Sequence, residues 1–247
     1  MNNYVIIVAG GKGLRMGGDV PKQFQLLDGR PVLMHTLERF RDYSAELQII
    51  LVLPRQQQEY WHELCRQYNF AVEHLIANGG ETRFHSVKNG LALIPDDAEG
   101  IVGVHDGVRP FVTRDLLDRC FTAAATEKAV VPGVPVADSL RHEQHGAISR
   151  EGICRVQTPQ TFSIQLLKEA YQLPYRKAFT DDASVVEAAG HHIGIVSGIP
   201  ENIKLTTPFD LIVGEAILSS QPPNSSLGPQ GRFHKAKRLK ELLTPNS

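Results

Sequence analysis

The sequence predicts an α/β protein with a Rossmann-like, mostly parallel sheet, helices on both faces and a protruding β-arm. Short β-branched apolar runs bounded by Gly, Pro or Asp alternate along the chain with longer amphipathic segments. Continuous apolar runs of this length are typical of strands buried on both faces. Strand–helix alternation favours a parallel sheet that binds ligands at the carboxyl ends of its strands.

The alternation divides the chain into predicted strands and helices in order. Thr207 followed by Pro208 provides a hydroxyl N-cap and a proline at the first helical position, and Thr113, Ser163 and Thr180 are further candidate caps. The predicted strands cover 4–9, 48–53, 72–77, 101–105, 129–134 and 192–197. The predicted helices cover 32–41, 56–68, 82–94, 114–126, 164–171, 181–189 and 208–219.

Two segments depart from this pattern. Residues 136–156 lack a helical period and contain two short strand-like pieces beside polar, glycine-containing turns, which predicts a β-arm that leaves the sheet; an irregular loop is also compatible. We expect residues 1–220 to form one domain. Residues 221–247 then read as a Pro/Gly/Ser-rich linker and a basic tail, for which a solvated, disordered state is favoured over a partner- or anion-binding helix.

Composition limits the classes of function. The 247 residues carry 26 Lys+Arg and 27 Asp+Glu, and a net charge of −1 argues against coating by nucleic acid. We find no apolar run near the roughly 18 residues of a membrane span and no signal-peptide pattern, so we expect a cytoplasmic protein with no nucleic-acid or membrane partner. Cys65, Cys120 and Cys154 are odd in number and widely spaced, which predicts reduced packing residues.

The first predicted strand runs directly into a glycine-rich loop that also carries cations. Residues 9–18 read AGGKGLRMGG, so five glycines fall within nine positions. Such a loop lets backbone N–H groups approach an anion closely. A turn that merely needs glycine would leave the accompanying Lys12, Arg15 and Lys22 unexplained. We therefore expect a phosphate site here.

The spacing in this loop excludes two common nucleotide motifs. A dinucleotide fingerprint needs glycine where Met16 stands and an acid after the second strand, where the chain has Arg55. A Walker loop needs Gly-Lys-Ser or Gly-Lys-Thr, which this loop lacks. Arg15 and Lys22 suit a nucleoside triphosphate, because positioned cations stabilise the charge that develops during phosphoryl chemistry. Ordinary surface cations are the alternative reading.

Two further loops carry candidate residues. Asn78–Gly79–Gly80–Glu81 precedes the predicted helix that contains Ser86. A carboxylate or carbonyl here could accept the N4 amino protons of cytosine, or Glu81 could simply complement the helix dipole. Asp106, followed by Gly107, ends the fourth predicted strand, where a carboxylate suits Mg²⁺ or a ligand hydroxyl; a turn-capping Asp is the alternative.

Eight motifs occur along residues 4–219 in the order found in a known family. They are AGGKGLRMG, PKQ, GGETRFHSV, VHDGVRP, PVADSL, TPQTF, TDDAS and NIKLT. The ordered set resembles the 2-C-methyl-D-erythritol 4-phosphate cytidylyltransferase family of the non-mevalonate isoprenoid pathway. This resemblance implies a nucleotidyltransferase fold and Mg²⁺-dependent transfer of CMP from CTP to methylerythritol phosphate, giving 4-diphosphocytidyl-2-C-methyl-D-erythritol and pyrophosphate.

The resemblance also implies roles on the nucleotide side. Arg15 and Lys22 resemble the family's cationic pair that stabilises the transition state at the α-phosphate, and Lys204 resembles a lysine that faces the phosphates. The residues that resemble the triphosphate loop are Ala9, Gly10, Gly11 and Gly13, and those that resemble the cytosine-selecting group are Gly80, Glu81 and Ser86. Glu81 stands where the family commonly has Asp, which keeps the carboxylate and changes its reach.

On the acceptor side, Asp106 and Arg109 resemble residues near the ribose, Mg²⁺ and sugar phosphate, with Gly107 where the family often has Ala. In the family the arm crosses a homodimer and binds the acceptor of the neighbouring subunit. The matching positions in the acceptor pocket are Ser139, in place of a frequent Thr, and Arg150, Thr158 and Thr180. We therefore expect a homodimer that binds CTP and a sugar-alcohol phosphate.

Three other functions stay open at this point. A ribitol 5-phosphate cytidylyltransferase shares most of these motifs and differs mainly in the acceptor pocket. A non-catalytic nucleotide-binding module would bind CTP without turnover, although the presence of Arg15 and Lys22 weighs against it. A nucleoside-diphosphate-sugar pyrophosphorylase belongs to the same broad fold class but usually has a different loop.

Overall fold

The computed structural model describes residues 2–10 and 20–220 of the chain. Their strands are β1 Tyr4–Val8, β2 Leu26–Leu27, β3 Arg30–Pro31, β4 Gln48–Leu53, β5 Leu75–Asn78, β6 Ile101–Asp106, β7 Ala129–Pro135, β8 Leu140–His142, β9 Gly146–Ile148, β10 Cys154–Val156, β11 Gln160–Ser163 and β12 Gly194–Ser197. Their helices are α1 Val32–Tyr43, α2 Arg55–Gln67, α3 Arg83–Leu91, α4 Arg114–Glu127, α5 Ile164–Ala170, α6 Asp182–Ala188 and α7 Pro208–Ser220.

The main sheet is mostly parallel, which confirms the predicted fold class. Its order is β10-β7-β11-β6-β1-β4-β5, and β12 pairs with β7. β1 lies in the middle and runs parallel to both β4 and β6, and β5 continues the parallel ladder beyond β4. The carboxyl ends of these four strands therefore lie along one edge of the sheet, at which the loops that follow them meet.

Helices cover both faces of the sheet and bury two separate apolar cores. On one face α1, α2 and α4 pack around a cluster that includes Leu37, Trp61 and Leu117. On the other face α3, α5 and α6 pack around a cluster that includes Val87 and Leu167. Burial on both sides explains why the strands of this sheet are nearly continuous apolar runs. No helix among the described residues is long and apolar enough to cross a bilayer.

Strand β11 was not predicted from the sequence. Its residues, Gln160–Ser163, form no apolar run, yet the strand inserts antiparallel between β6 and β7. Phe162 is fully buried, and the Thr161 hydroxyl donates to the Cys120 carbonyl at 3.1 Å, which allows a polar side chain to lie in the core. A long-range hydrogen bond therefore stabilises a strand that local pattern does not reveal.

Strand β5 starts later than the predicted segment 72–77. The Val72 carbonyl is in contact with the Nδ1 atom of His74 at 2.7 Å, and the other ring nitrogen of His74 lies 3.0 Å from the indole nitrogen of Trp61. These contacts hold the first three predicted residues outside the ladder. The short hairpin of β2 and β3 was also not predicted.

The predicted arm is partly separate from the main sheet. β8 and β9 pair with each other as a two-stranded hairpin, whereas β10 returns to the main sheet and pairs antiparallel with β7. The projecting part is therefore shorter than the predicted segment 136–156. The basic tail, 221–247, lies outside the described residues.

The helix caps follow the sequence at three of four predicted positions. The Thr113 and Ser163 hydroxyls accept from backbone N–H groups of α4 and α5, and the Thr207 hydroxyl accepts from the Asp210 N–H at 3.3 Å. The prediction of Thr180 as a cap was wrong. Asp181 caps α6 instead, because its carboxylate accepts the Ser184 N–H while the Ser184 hydroxyl accepts the Asp181 N–H, a capping box.

Candidate functional site

Loops that are distant in the sequence meet at the carboxyl edge of the sheet. The Ala9 N–H donates to the Val52 carbonyl at 3.0 Å, and the Gly107 N–H donates to the Val8 carbonyl at 2.9 Å. A Cβ atom on Gly107 would lie 3.0 Å from the Cβ of Ala9, so these two segments are in close contact. The loops after β1 and β6 therefore form one surface.

The loop after β5 is shaped by an internal hydrogen-bond network. The Gly80 N–H donates to the Ser86 hydroxyl at 3.0 Å, and that hydroxyl donates to the Thr82 carbonyl at 3.0 Å. A Cβ on Gly80 would lie 2.4 Å from the Cβ of His85, so the fold at this point requires glycine. A Cβ on Gly10 would lie 3.8 Å from the Ser86 oxygen, which shows that the two predicted loops adjoin.

Glu81 stands at the exposed rim of this loop, just before the Thr82 N-cap of α3. Its carboxylate makes no hydrogen bond or ion pair with the described residues. The position is compatible with both readings offered by the sequence, a ligand contact and a charge that complements the helix dipole.

Asp106 lies at the end of β6 and is surrounded by cations. Its Oδ2 atom is 3.0 Å from the Lys204 Nζ and 3.1 Å from the Arg109 Nε. Burial by itself would raise the pKa of this carboxyl, but Lys204, Arg83 and Arg109 outweigh that effect and hold the pKa well below its usual range. The group is therefore an anion held within a positively charged environment.

Thr158 and His105 hold the backbone at Asp106 and Arg109 in place. The Thr158 hydroxyl accepts the Asp106 backbone N–H at 3.1 Å and also lies 3.1 Å from the Nδ1 atom of His105. The other ring nitrogen of His105 lies 3.0 Å from the Arg109 carbonyl. Burial lowers the pKa of His105 to about 4, so the ring is neutral near pH 7. His105 is thus a structural residue of the core.

The segment before α7 positions Lys204. The amide nitrogen of the Asn202 side chain donates to the Thr158 carbonyl at 2.8 Å, and the Asn202 backbone carbonyl accepts from Arg109 at 2.9 Å. The Leu205 N–H donates to the Val108 carbonyl at 2.9 Å. Hydrogen bonds on both sides of Lys204 therefore fix its backbone next to the end of β6.

Lys22 opens a 3-10 turn, Lys22–Phe24, that is tied to the loop after β1. The next residue, Gln23, is buried, and its side-chain amide donates to the Ala9 carbonyl at 2.8 Å and to the Gln57 side chain at 2.7 Å. Lys22 is thereby held near the first loop. Gly11, Gly13 and Arg15 lie outside the described residues.

The candidate acceptor residues are more dispersed. Ser139 and Arg150 are exposed in the segment around the β8–β9 hairpin, and Arg150 donates to the Ala137 carbonyl. Thr180 is exposed just before α6. Thr158, by contrast, is buried beside Asp106. Within the described part of this single chain, no hydrogen bond joins the arm to the Asp106 cluster.

The structure adds site residues that sequence reasoning did not single out. The Arg83 guanidinium makes two contacts with the Asp182 carboxylate, at 2.8 and 2.6 Å, across 99 residues of sequence. Gln23 and Asn202 position the candidate lysines. Arg83, Asp182, Gln23 and Asn202 lie within the motifs GGETRFHSV, TDDAS, PKQ and NIKLT, respectively, so their membership of these motifs was the available signal.

The described residues hold no cluster of three or more His, Cys, Asp or Glu side chains that could bind a metal by themselves. Asp106 therefore stands as a lone carboxylate, and a cation bound there would need oxygen ligands from a substrate.

Comparisons with known proteins agree with the motifs. Residues 3–220 match the family model of 2-C-methyl-D-erythritol 4-phosphate cytidylyltransferase. A relative of that name from Bacteroides thetaiotaomicron is 59% identical over 221 residues, which cover 88% of this chain and 100% of the relative. A relative of the same name from Alkaliphilus metalliredigens is 40% identical over 88% of this chain and 93% of its own length.

Solved structures show the same likeness. The crystal structure of 2-C-methyl-D-erythritol 4-phosphate cytidylyltransferase from Thermus thermophilus is 32% identical, with a TM-score of 0.71, and the match covers 89% of this chain and 100% of that one. The 4-diphosphocytidyl-2C-methyl-D-erythritol synthase from Anaerococcus prevotii has a TM-score of 0.74 at 28% identity, over 88% of this chain and 96% of that one.

The contacts of Thr158 with Asp106 and His105 give a testable prediction. Thr158→Val keeps the side-chain shape but leaves the buried Asp106 N–H and His105 Nδ1 without their partner. We expect the free energy of unfolding to fall by about 1–3 kcal/mol in urea denaturation. Thr126→Val makes the same change at an exposed position of α4 and is the control. Equal stability of the two variants would contradict the assigned role.

Proposed function

The chain belongs to the 2-C-methyl-D-erythritol 4-phosphate cytidylyltransferase family, and from this premise we propose how its residues serve the reaction. The enzyme transfers CMP from CTP to 2-C-methyl-D-erythritol 4-phosphate in isoprenoid precursor synthesis, giving 4-diphosphocytidyl-2-C-methyl-D-erythritol and pyrophosphate. The observation that carries the assignment of the site is the meeting of two glycine loops with the Asp106–Lys204–Arg109 cluster at one sheet edge.

We propose that the loop after β5 selects cytosine. The Gly80 N–H is already used by the Ser86 hydroxyl, so the group offered to the base is a backbone carbonyl or the nearby Glu81 carboxylate. Either oxygen can accept the N4 amino protons that distinguish cytosine from uracil. Ser86 then acts by holding the loop in shape. The loop that binds the triphosphate would be formed by Ala9, Gly10, Gly11 and Gly13.

The chemistry requires alignment and charge stabilisation. An oxygen of the acceptor phosphate attacks the α-phosphorus of CTP, a new P–O bond forms, and the bond to pyrophosphate breaks. That oxygen is already anionic near neutral pH, so no protein base is needed. We propose that Arg15 and Lys22 stabilise the charge on the reacting phosphate, while Lys204 and Arg109 align the phosphates.

The two titratable groups at the end of β6 are unsuited to serve as a base. The pKa of His105 is lowered to about 4 and its ring is fully buried. Asp106 is held ionised by neighbouring cations, which hold its pKa below the usual range even though burial acts in the opposite direction. Both features support electrostatic catalysis.

We propose that Mg²⁺ is the cofactor. Asp106 fits this ion as a single carboxylate ligand, because Mg²⁺ usually takes one or two carboxylates together with substrate phosphates and water. Bound there, Mg²⁺ would neutralise phosphate charge and polarise the α-phosphate. Lys204 and Arg109 both contact Oδ2 of Asp106 and so fix the orientation of this carboxylate.

We also propose a homodimer in which the arm completes the acceptor site of the neighbouring subunit. Ser139 and Arg150 are exposed and lie apart from the Asp106 cluster in the single chain. Ile148, Ile153 and Val156 are each about 40% exposed, an apolar surface that a second copy would cover. A cytoplasmic location and the absence of nucleic-acid partners stay predictions from the sequence.

The function is tested with the purified protein. We expect pyrophosphate release from CTP with 2-C-methyl-D-erythritol 4-phosphate, and little release when ribitol 5-phosphate replaces it or when ATP, GTP or UTP replaces CTP. The names of the relatives favour the first acceptor. Turnover with ribitol 5-phosphate but not with 2-C-methyl-D-erythritol 4-phosphate would overturn the acceptor assignment. CTP binding without turnover of either acceptor would indicate a non-catalytic nucleotide-binding module.

Lys22 gives the second test. We expect Lys22→Ala to lower kcat by at least about 10²-fold, because loss of one preorganised contact to the transition state has this effect. Lys88→Ala removes the same group from an exposed position of α3 and should keep wild-type kcat. The kcat of each variant is measured by steady-state kinetics, on protein that circular dichroism shows to be folded. A wild-type kcat in Lys22→Ala would show that Lys22 has no role in the mechanism.

The proposed cofactor predicts metal dependence through Asp106. Chelation by EDTA should abolish turnover, and added Mg²⁺ should restore it. Asp106→Asn should need at least about tenfold more Mg²⁺ for half-maximal rate, since a neutral amide is a weaker ligand for a hard cation than a carboxylate. An unchanged Mg²⁺ requirement in this variant would argue against Asp106 as a ligand.

The shared acceptor site predicts complementation between subunits. Lys22→Ala and Arg150→Ala should each be nearly inactive as pure proteins. After mixing and exchange of subunits, random pairing places one intact site in half of the dimers, so we expect about a quarter of wild-type activity. Activity that does not rise on mixing, with exchange verified by tagged subunits, would show that the arm serves its own chain.

A further inference from the structure

A buried ion pair joins the loop after β5, which is proposed to bind cytosine, to the segment around Thr180, which resembles part of the acceptor pocket. Arg83 is the first residue of α3, three positions after Gly80, and Asp182 is the first residue of α6, two positions after Thr180. The guanidinium forms two parallel contacts with the carboxylate, at 2.8 and 2.6 Å, and the Asp182 side chain is fully buried. Such paired contacts fix the relative angle of the groups as well as their distance.

Further hydrogen bonds attach this pair to α6. The Tyr171 hydroxyl donates to Asp182 at 2.7 Å. The side-chain Oε1 atom of Gln160 accepts the backbone N–H groups of Asp182 and Ala183, and its side-chain amide nitrogen donates to the Asp181 carboxylate at 2.8 Å. The start of α6, where the Thr180 segment ends, is therefore held from two sides.

An aromatic cluster runs alongside the ion pair. Phe84, next to Arg83 on α3, stacks on Tyr171 at 4.6 Å and on Phe179 at 5.7 Å between ring centroids. Tyr175, between these two residues, lies 5.8 Å from Phe84. The whole segment between α5 and α6 is thereby packed against the helix that follows the cytosine loop.

Arg83 is also electrostatically linked to Asp106. The positive charge of Arg83 is among the causes that hold the pKa of Asp106 low, and Asp106 in turn helps to raise the pKa of Arg83. Arg83 therefore contributes positive charge near the candidate site in addition to its paired contacts with Asp182.

We propose that Arg83 is a positioning residue that couples the nucleotide subsite to the acceptor subsite through its paired contacts with Asp182. A nucleotide that binds the Gly80–Ser86 loop restricts the position of the start of α3. Because Arg83 is paired with Asp182, the start of α6 and the adjacent Thr180 are then restricted as well. Occupation of one subsite then favours binding at the other, and by linkage the effect is reciprocal. This inference rests on the proposed roles of the two loops.

The coupling is measured by isothermal titration. The acceptor phosphate is titrated into the dimer with and without the α,β-methylene analogue of CTP, which occupies the nucleotide subsite without releasing pyrophosphate. In the wild-type enzyme we expect the analogue to tighten acceptor binding by about tenfold, within the range usual for coupled sites. In Arg83→Lys, which keeps the charge and loses the paired geometry, this factor should fall to near one.

Two variants make the test specific. Asp182→Asn should lose the same factor, and the double variant should lose no more, because both residues act through one contact. Arg176→Lys makes the conservative change at an exposed arginine of the same segment and should keep the wild-type factor. A merely structural role would lower the melting temperature of the variants and leave the coupling of the folded protein intact.

The possible outcomes separate the two proposals. If the wild-type protein binds neither ligand, the proposed function fails. If both ligands bind, and the coupling factor is one in the wild type or is unchanged in folded Arg83→Lys, the inference is overturned while the function stands. If Arg83→Lys does not fold, Gln160→Met is used instead, because it removes the hydrogen bonds to the start of α6. Its coupling factor should also fall to near one, and an unchanged factor would overturn the inference.

Discussion

The ionised Asp106 carboxylate is the charge around which the site is organised. Burial of a carboxylate is costly unless cations and hydrogen-bond donors surround it. Lys204 and Arg109 supply direct contacts, Arg83 adds a longer-range charge, and the Thr158 hydroxyl accepts the backbone N–H. The three cations come from different segments, so one charge attracts side chains from α3, the loop after β6 and the segment before α7.

The same arrangement suits the phosphate binding that is proposed for this site. A lysine without a fixed partner samples many rotamers, and ordering it when substrate binds has an entropic cost. Lys204 is already directed toward the end of β6 by Asp106, and Asn202 and Leu205 fix its backbone on either side. On the proposed function, a polyphosphate bound at this edge would meet cations that need little rearrangement, which is the condition under which electrostatic stabilisation is most effective.

The sequence predicts the parts of this fold that depend on local pattern. The apolar runs of β1, β4, β6 and β7 and the periodic helices give the sheet and its layers, and the motifs place the candidate residues Asp106 at the end of β6 and Gly80 in the loop after β5. Strand β11 escaped prediction because Thr161 becomes a core residue only through a bond to the distant Cys120 carbonyl. The Asp181 cap of α6 was missed because Thr180 and Asp181 both suit a cap by residue type, and Gln160 and Ser184 decide between them.

The Arg83–Asp182 pair is a contact that local sequence pattern could not predict. Its members are 99 residues apart, and no periodicity or spacing connects them. Buried ion pairs are often no more stabilising than apolar side chains of similar size, and Phe84 with Tyr171 already supplies apolar packing between the same segments. What the charged pair adds is a fixed direction, because a planar guanidinium and a carboxylate meet in one orientation whereas packed rings can slide. A contact of this kind suits two loops that are proposed to hold a nucleotide and an acceptor phosphate in line.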